Sequence, residues 1–449
     1  MAAMLSAITI DQLAKRLKEP AWLTELRYTS LKQHGELPWP HASDEIWRRT
    51  PVTLLDPMQG FSLADAPTLF QSMRLSDAKL LQLAQPLADE QLLVRADGSW
   101  MTQQLPSGVT ATSLQQAAHE RQEVIRHAIE ADGLTLPEQK LTSLNVAFHH
   151  DGLFIHIDSQ RRLESPLRVV HLVSVQPNRA LFPLTVIVVG QGSSAVLIDE
   201  YVGLPTASSS KAPVRPAHRE AGGHVINGRI ELILEPHATV HYVRIQRWDA
   251  HAREFLLQRA TLHEGAQFTM VNINIGASLS KAHVITKLLG RHSTSKLYGF
   301  VFGHGRQHVD QHTLQDHRAP HTVSDLLFKA ALKDESRMIY TGLIRIAKTA
   351  KQTDAYQANN NLLLSQQARA ETIPMLEILA DDVRCKHGAT IGPIDEEQAF
   401  YLMTRGIPRP LSERLIVMGF VEQVIQQVPF EPLQVRLRQE VEGGLQSGV

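Results

Sequence analysis

A cysteine and a histidine two positions apart, Cys385 and His387, have the residue types and the spacing to bind a metal. Cys385 is the only cysteine of the chain. Side chains of a strand alternate between its two faces, so an extended segment would place both groups on one face, with Cα atoms roughly 6.5–7 Å apart. Zinc and iron–sulfur centres usually take three or four protein ligands. Either the missing ligands come from a second chain, or the pair is ordinary structure.

The structural interpretation of Cys385 rests on the general behaviour of free cysteines, which are among the most buried residues and act as small hydrophobes. Arg384 and Lys386 flank the cysteine, and nearby cations stabilise a thiolate. In an extended segment both cations point away from the sulfur, so their effect is small. A core role and a ligand role both remain open at this point.

Composition limits the classes of function. The chain has 449 residues, 43% of them hydrophobic, and a formal net charge of −1, which is ordinary for a globular protein of one to three domains and favours neither nucleic acid nor an anionic membrane. A single cysteine fits a reducing compartment. Residues 1–10 do not resemble a secretory signal, and no apolar run approaches the roughly 20 residues of a membrane helix. We predict a cytoplasmic protein.

Motifs of common enzyme classes are absent from the sequence. It contains no phosphate-binding P-loop, no glycine-rich dinucleotide fingerprint between a strand and a helix, and no nucleophile elbow. We therefore predict that the chain binds no nucleotide and does not hydrolyse ATP by a P-loop.

A second group of possible ligands consists of histidines that lie close together in the sequence. On a helix, three of them would form a row of the kind that some zinc enzymes use. The neighbouring glycines and β-branched residues favour strands instead, and no cysteine lies nearby. We interpret the group as solvent-facing turns: His304, His308, His312, His317 and His321.

The pattern of apolar, polar and turn-forming residues divides the chain into three sections. Residues 1–140 predict a mostly helical domain with a hairpin at Asp97 and Gly98. Residues 141–393 contain short β-rich runs, several of which begin with a small residue, any residue and then an apolar or small one. Successive runs are similarly spaced except for one longer step, from the third to the fourth, which could contain an insertion. Their first residues are Ala238, Ala266, Ser295, Ser336 and Ala368.

Helix-length amphipathic segments are absent from the middle section, so a βαβ sheet is disfavoured. A β-solenoid, in which each coil pairs with the next, fits the recurrence, and a β-sandwich is the alternative. The segment 204–223 is rich in serine, proline and glycine and is predicted to be an excursion from the repeat.

Residues 394–449 predict a C-terminal helical domain. Asp395 and Gln398 form a capping-box pattern, and the first helix ends at Gly406. A second helix, predicted at residues 412–427, carries too many apolar residues for one narrow stripe. The surplus either packs on the solenoid or binds a partner.

Several motifs, taken in order, resemble the SufB/SufD family of iron–sulfur cluster assembly proteins. The resemblance is strong from residue 141 onward and looser before it, where two further motifs resemble SufD more than SufB. The motifs lie at residues 308–317, 357–365, 374–378, 381–390 and 400–420, and the two earlier ones at residues 20–22 and 45–50.

The resemblance implies a right-handed parallel β-helix flanked by helical domains, in a non-enzymatic scaffold. It also implies a SufB-like partner paired through the β-helices and a transient iron–sulfur cluster at that interface. His387 would contact the cluster, with Cys385 as its neighbour. A SufC-like ATPase would dock on the C-terminal helices, where the candidate contact residues are Phe400, Tyr401, Met418 and Phe420.

Two other classes of protein remain as alternatives. One is a purely structural adaptor in which Cys385 and His387 are core residues. The other is a polysaccharide-active β-helix enzyme, which would need a groove with clustered carboxylates and would normally be secreted. Exposure of the His387 side chain separates the adaptor from the scaffold.

Overall fold

The computed structural model shows a parallel β-solenoid with helices before and after it. Most of the predicted excursion at residues 204–223 lies outside the described residues. Within the described part of the chain, the strands from residue 151 onward pair with one another in parallel. This arrangement confirms the predicted solenoid over a sandwich of antiparallel sheets. The structure describes residues 5–41, 43–58, 60–63, 77–102, 104–130, 134–175, 178–205 and 223–446.

The N-terminal section combines helices with strands that extend both sheets. The predicted hairpin is present: β2 and β3 are antiparallel, and Asp97 and Gly98 both have positive φ, as a tight hairpin turn requires. Because β2 also pairs with the solenoid strand Leu167–Val175, this section is continuous with the solenoid. Its elements are α1 Ala7–Leu17, α2 Ala21–Glu36, β1 Ser62–Leu63, α3 Asp77–Ala84, β2 Gln91–Ala96, β3 Ser99–Thr102, β4 Val109–Ser113, α4 Leu114–Glu120, α5 Gln122–Glu130 and α6 Leu136–Phe148.

The predicted domain boundary after residue 140 falls inside α6. Proline at the second position of this helix and the capping box between Thr135 and Glu138 explain why the helix begins where it does. The three-domain division of the chain stays a prediction.

In the described part of the chain, seventeen strands follow α6. They contribute to two sheets, one with the order β20-β18-β16-β14-β12-β10-β8-β5-β4 and the other with the order β21-β19-β17-β15-β13-β11-β9-β6-β2-β3. The strands are β5 Asp151–Ile157, β6 Leu167–Val175, β7 Arg179–Leu181, β8 Pro183–Val189, β9 Ser194–Pro205, β10 His224–Leu234, β11 Thr239–Arg247, β12 Ala252–Leu262, β13 Gln267–Asn274, β14 Leu279–Leu288, β15 Thr294–Gly303, β16 His308–His317, β17 Val323–Leu332, β18 Arg337–Ile346, β19 Thr353–Leu363, β20 Arg369–Ile378 and β21 Val383–Pro393.

The long step between the third and fourth runs contains no insertion, so that interpretation was wrong. Ser295 lies in β15 of one sheet, whereas Ser336 immediately precedes β18 of the other. Within one sheet the register continues without a gap, since Thr294 of β15 pairs directly with Val323 of β17. The long step therefore arises because the sequence pattern changes from one sheet to the other.

Side chains in equivalent positions of successive coils stack inside the solenoid. Tyr242, Met270, Leu297 and Leu326 are in register on β11, β13, β15 and β17, and each is at most 1% exposed. In such repeats, stability is approximately a sum of contacts between neighbouring coils. The β-rich runs of the sequence are therefore strands, and their inward-facing side chains stack into one continuous core.

Within the described residues, three helices follow the last strand: α7 Glu396–Thr404, α8 Arg409–Ile425 and α9 Glu431–Gln446. The carboxylate of Asp395 accepts hydrogen bonds from the backbone N–H of Glu397 and Gln398, which confirms the predicted cap. Gly406 has a φ of +84°, a conformation that glycine adopts readily. The last of these helices was not predicted. Across the described ranges, no helix is both long and apolar enough to cross a membrane.

Much of the apolar surplus of α8 packs on the solenoid. Val421 and Val424 are fully buried in one cluster with Val271 and Phe300 of the sheet. The C-terminal helices therefore belong to the same packed structure as the strands that they cover.

A buried cluster of charges also joins the sections. Glu200 of β9 is 1% exposed and forms ion pairs with three arginines from different elements. Nη2 of Arg168 on β6 lies 2.8 Å from Oε2 of Glu200, and Nη2 of Arg436 on α9 lies 2.7 Å from the same oxygen. Arg247 of β11 is the third partner, and Arg168 also contacts Glu90 near the start of β2.

Candidate functional site at the last coil

The last coil, made by β20 and β21, ends both sheets. Within the described residues, β20 pairs only with β18, and β21 only with β19. Every residue of these two strands is half-buried or exposed. Their outer edges therefore present rows of unpaired backbone N–H and C=O groups, which can template pairing with another chain.

Cys385 and His387 both lie on β21, where the predicted extended conformation is observed. Cys385 is in register with Ala355 of β19, and His387 with Gln357. Ala355 and Gln357 are each 1% exposed because they face the solenoid interior. The cysteine and the histidine share that side, but at the end of the solenoid Cys385 is half-buried and His387 is exposed. His387 is therefore not a core residue.

The surroundings of Cys385 keep its thiol protonated. It packs against an apolar cluster that includes Ile344, Ile346 and Ala380, and burial raises the pKa of the Cys385 thiol to about 11. Arg384 is exposed and lies 4.0 Å from Asp354 on the outer side of the sheet. A metal that binds the sulfur must therefore displace a proton.

Exposed apolar side chains surround the same coil. Leu376 and Ile378 of β20 are 39% and 41% exposed, Leu379 after the strand is 60% exposed, and Ile391 of β21 is 45% exposed. Exposed apolar patches beside unpaired strands are typical of protein interfaces. The last coil thus combines backbone edges, apolar surface and two possible metal ligands.

The four candidate residues of the C-terminal helices divide into two groups. Phe400 and Tyr401 on α7 are 67% and 58% exposed, whereas Met418 and Phe420 on α8 are half-buried. The Lys329 ammonium lies 4.1 Å from the centroid of the Phe420 ring and donates a 2.9 Å hydrogen bond to the Phe420 carbonyl. Phe420 therefore helps to hold α8 on the solenoid, and the α7 pair is the more exposed half of the four candidates, whose docking role stays a prediction.

The histidine-rich stretch is a strand, so its interpretation as solvent-facing turns was wrong for most of its members. His308, His312 and His317 lie on β16, and the last two are buried. Nδ1 of His317 is 2.7 Å from Oγ1 of Thr322, and Nε2 is 2.9 Å from Oγ of Ser324. Burial lowers the pKa of His317 to about 3. His312 and His317 are buried because β16 is covered on both faces.

A second group of possible ligands, which no motif indicated, lies under the N-terminal helices. It consists of Glu138 on α6, His283 on β14 and His312 on β16. Only the fold brings these residues together, since 145 positions separate the first two.

Comparison with known proteins identifies the family. The SufBD core domain of the SUF system for FeS cluster assembly matches residues 172–420, and the SufBD protein N-terminal region matches residues 16–169. The chain belongs to the SufBD family. A SufBD family protein of Synechocystis is 27% identical over 96% of this chain and 94% of its own length. SufD of Bacillus subtilis is 26% identical, over 97% of this chain and 98% of its own length.

These matches confirm the resemblance seen in the motifs, and the chain is an iron–sulfur cluster assembly protein of the SUF system. The polysaccharide-active alternative gains no support from them. The roles of Cys385 and His387 as ligands, and the right-handed sense of the solenoid, stay predictions.

Proposed function

We propose that this chain is a SufD-like scaffold subunit that helps to assemble iron–sulfur clusters in the cytoplasm. Its last coil pairs with a SufB-like chain, and its C-terminal helices dock a SufC-like ATPase. The observation that carries the proposal is the exposure of His387 on a strand whose outer edge is unpaired within the described residues.

The two side chains of β21 cannot hold a cluster alone, because iron–sulfur clusters are usually bound by four protein ligands. His387 is accessible from outside, and Cys385 lies two residues away on the same side of the strand. A partner that covers this coil supplies the remaining ligands. The cluster is thus a cargo that is built at the interface and then leaves.

The geometry of the last coil favours a partner that is itself a solenoid. Two sheets end here, one at β20 and the other at β21. A chain with a matching two-sheet end satisfies both rows of backbone groups at once and covers Leu376, Ile378 and Ile391. A SufB-like chain belongs to the same family, so we expect it to have the same fold and therefore a matching two-sheet end.

The exposed aromatic pair of α7 suits the ATPase. Phe400 and Tyr401 are adjacent and exposed, and aromatic anchors are enriched among residues that dominate binding energy. The chain carries no phosphate-binding motif of its own, so nucleotide hydrolysis belongs to the docked partner in this arrangement.

The test is anaerobic coexpression of the full chain with a SufB-like and a SufC-like protein. We expect a complex of all three with cluster absorbance, and a complex of normal composition but with reduced absorbance for His387→Ala. His304→Ala, at an exposed turn position, is the matched control. Failure of the wild-type chain to bind either partner would reject the proposal.

A further inference from the structure

Glu138, His283 and His312 form a compact buried group between α6 and two neighbouring strands. Their exposed fractions are 2%, 1% and 3%. One potential ligand atom from each lies within 4.8 Å of the other two. His283 and His312 are in register on β14 and β16, and Nδ1 of His283 is 2.9 Å from Oε1 of Glu138.

The ring nitrogens of His312 are free to bind a ligand at this group. Neither of its ring nitrogens has a hydrogen-bond partner within the described part of the chain. Buried polar side chains nearly always have at least one partner, and each exception needs an explanation. His312 is held beside His283, with ring centroids 4.9 Å apart, so its nitrogens lie close to a second imidazole and a carboxylate.

The donor set is one that transition metals prefer. Two imidazoles and one carboxylate bind zinc in several enzymes and iron(II) in others. Burial lowers the pKa of His312 to about 3, so its imidazole is neutral and can donate a lone pair. The hydrogen bond that Glu138 Oε1 shares with Nδ1 of His283, at 2.9 Å, favours the carboxylate form of Glu138.

The charges around the group also suit a cation. The nearby ammonium of Lys281 is already paired with Asp310, at 2.6 Å, so it does not neutralise the Glu138 carboxylate directly. Oε2 of Glu138 accepts hydrogen bonds from the Thr135 backbone N–H at 2.7 Å and its hydroxyl at 2.9 Å. These bonds orient the carboxylate, as the outer partners of metal ligands do.

We propose that Glu138, His283 and His312 bind one divalent transition-metal ion that fastens α6 to the solenoid. The ion lies between Oε1 of Glu138 and Nδ1 of His283, where it replaces the proton of their hydrogen bond. That proton moves to Nε2 of His283, so the imidazole stays neutral. Ligand atoms around tetrahedral zinc are roughly 3.3 Å apart, given bonds of about 2.0–2.1 Å. The His283–Glu138 separation is close to this value, rotation of His312 brings the third ligand to the ion, and a water takes the fourth position.

This site is distinct from the last coil, because β18 and β20 follow β16 before the sheet ends. Its role is structural: all three ligands are buried, and they join the N-terminal section to two strands. The inference does not depend on the proposed function, and the two can be tested separately.

The test uses the full chain carrying Cys385→Ser and His387→Ala, which removes the ligands of the last coil. Metal-free protein is mixed with zinc, and bound metal is measured after gel filtration together with the thermal midpoint. We expect one zinc per chain and a higher midpoint. Cobalt(II) in place of zinc should give the visible absorption bands of a tetrahedral site.

Two variants make the test specific. In the same background, His312→Gln and Glu138→Gln should each lose the zinc and the rise in midpoint, and Glu138→Gln keeps an oxygen for the helix cap. The matched control is His317→Gln, a buried histidine of the same strand whose nitrogens are already bonded; it should keep the zinc. Circular dichroism confirms folding. Absence of zinc from the background chain, or zinc retained in both variants, would overturn the proposal.

Discussion

Gln357 and His387 occupy the same register position on neighbouring strands, yet Gln357 is 1% exposed whereas His387 is open to solvent. The difference arises because β19 is covered by a further coil and, among the described residues, β21 is not. An inward-facing position that belongs to the core in one coil becomes surface in the next.

Replacement of His387 by alanine should reduce cluster assembly without unfolding the chain. Exposed substitutions usually change the free energy of unfolding by no more than about 0.5 kcal/mol. The measurements are activity of iron–sulfur enzymes in cells and urea unfolding of the purified variant, with His304→Ala as control. Wild-type cluster assembly in the variant would show that His387 is not a ligand.

Replacement of Cys385 by serine should have a milder effect on cluster assembly than His387→Ala. The thiol is half-buried and protonated, and a SufB-like partner is expected to supply sulfur ligands. The two variants are compared in the same cellular assay at equal protein levels. A loss as severe as that of His387→Ala would reverse the ranking of the two residues.

The single thiol should alkylate slowly at neutral pH. With its pKa raised to about 11 by burial, the thiolate fraction of Cys385, and hence the rate, should rise about tenfold per pH unit up to that value. An ordinary cysteine levels off near pH 8.5. Iodoacetamide kinetics between pH 7 and 11 measure this, with the urea-unfolded chain as control. A plateau below pH 9 in the folded chain contradicts it.

Aspartate at Phe400 or Tyr401 should weaken binding of a SufC-like ATPase by at least about tenfold, because a charge replaces an exposed aromatic anchor. The thermal midpoint should not change. Leu289→Asp, at a 44% exposed apolar position on a solenoid turn, is the control. Pull-down with circular dichroism measures both effects, and unchanged binding in both variants would reject the docking surface. Truncation near Pro393 is a poorer test because it exposes the sheet under α8.

Acid should destabilise the chain partly through His317. Its pKa is about 3 in the folded state, against about 6.5 when unfolded. Between these values only the unfolded state binds the proton, so the free energy of unfolding falls as pH drops, by up to about 1.4 kcal/mol per unit.

Urea unfolding at pH 7, 6 and 5 measures this slope. His317→Gln should give a shallower one, since glutamine does not titrate. The free energy of unfolding of the variant at pH 7 should be roughly 1–2 kcal/mol lower than that of the wild type, because the hydrogen bonds to Thr322 and Ser324 are altered. An equal slope in the variant and the wild type would show that another group carries the proton.

The sequence was sufficient for the solenoid and for the strand that carries Cys385 and His387. Recurrent apolar and β-branched runs indicate strands directly, and their return at similar intervals along the chain indicates coils. The pattern could not assign Ser295 and Ser336 to different sheets, because each coil contributes one strand to each sheet and similar residues begin both.

What covers a strand could not be predicted. His312 was expected at the surface, but it is buried beside Glu138 of α6 and His283 of β14. The contact between the Phe420 ring and Lys329 of the solenoid was not predicted either, and a role of Phe420 in docking a partner stays a prediction. Both contacts join residues distant in sequence, which a local pattern does not contain.

The three arginines around Glu200 affect how this protein can be divided or recombined. Arg436 comes from the last helix, whereas Arg168 and Arg247 come from strands early in the solenoid. Without Arg436, Glu200 keeps Arg168 and Arg247 as partners, but the balance of charge and hydrogen bonds in a buried network changes, which costs stability. A chimaera that exchanges the C-terminal helices between relatives should therefore be more stable when residue 436 and residue 200 are inherited together.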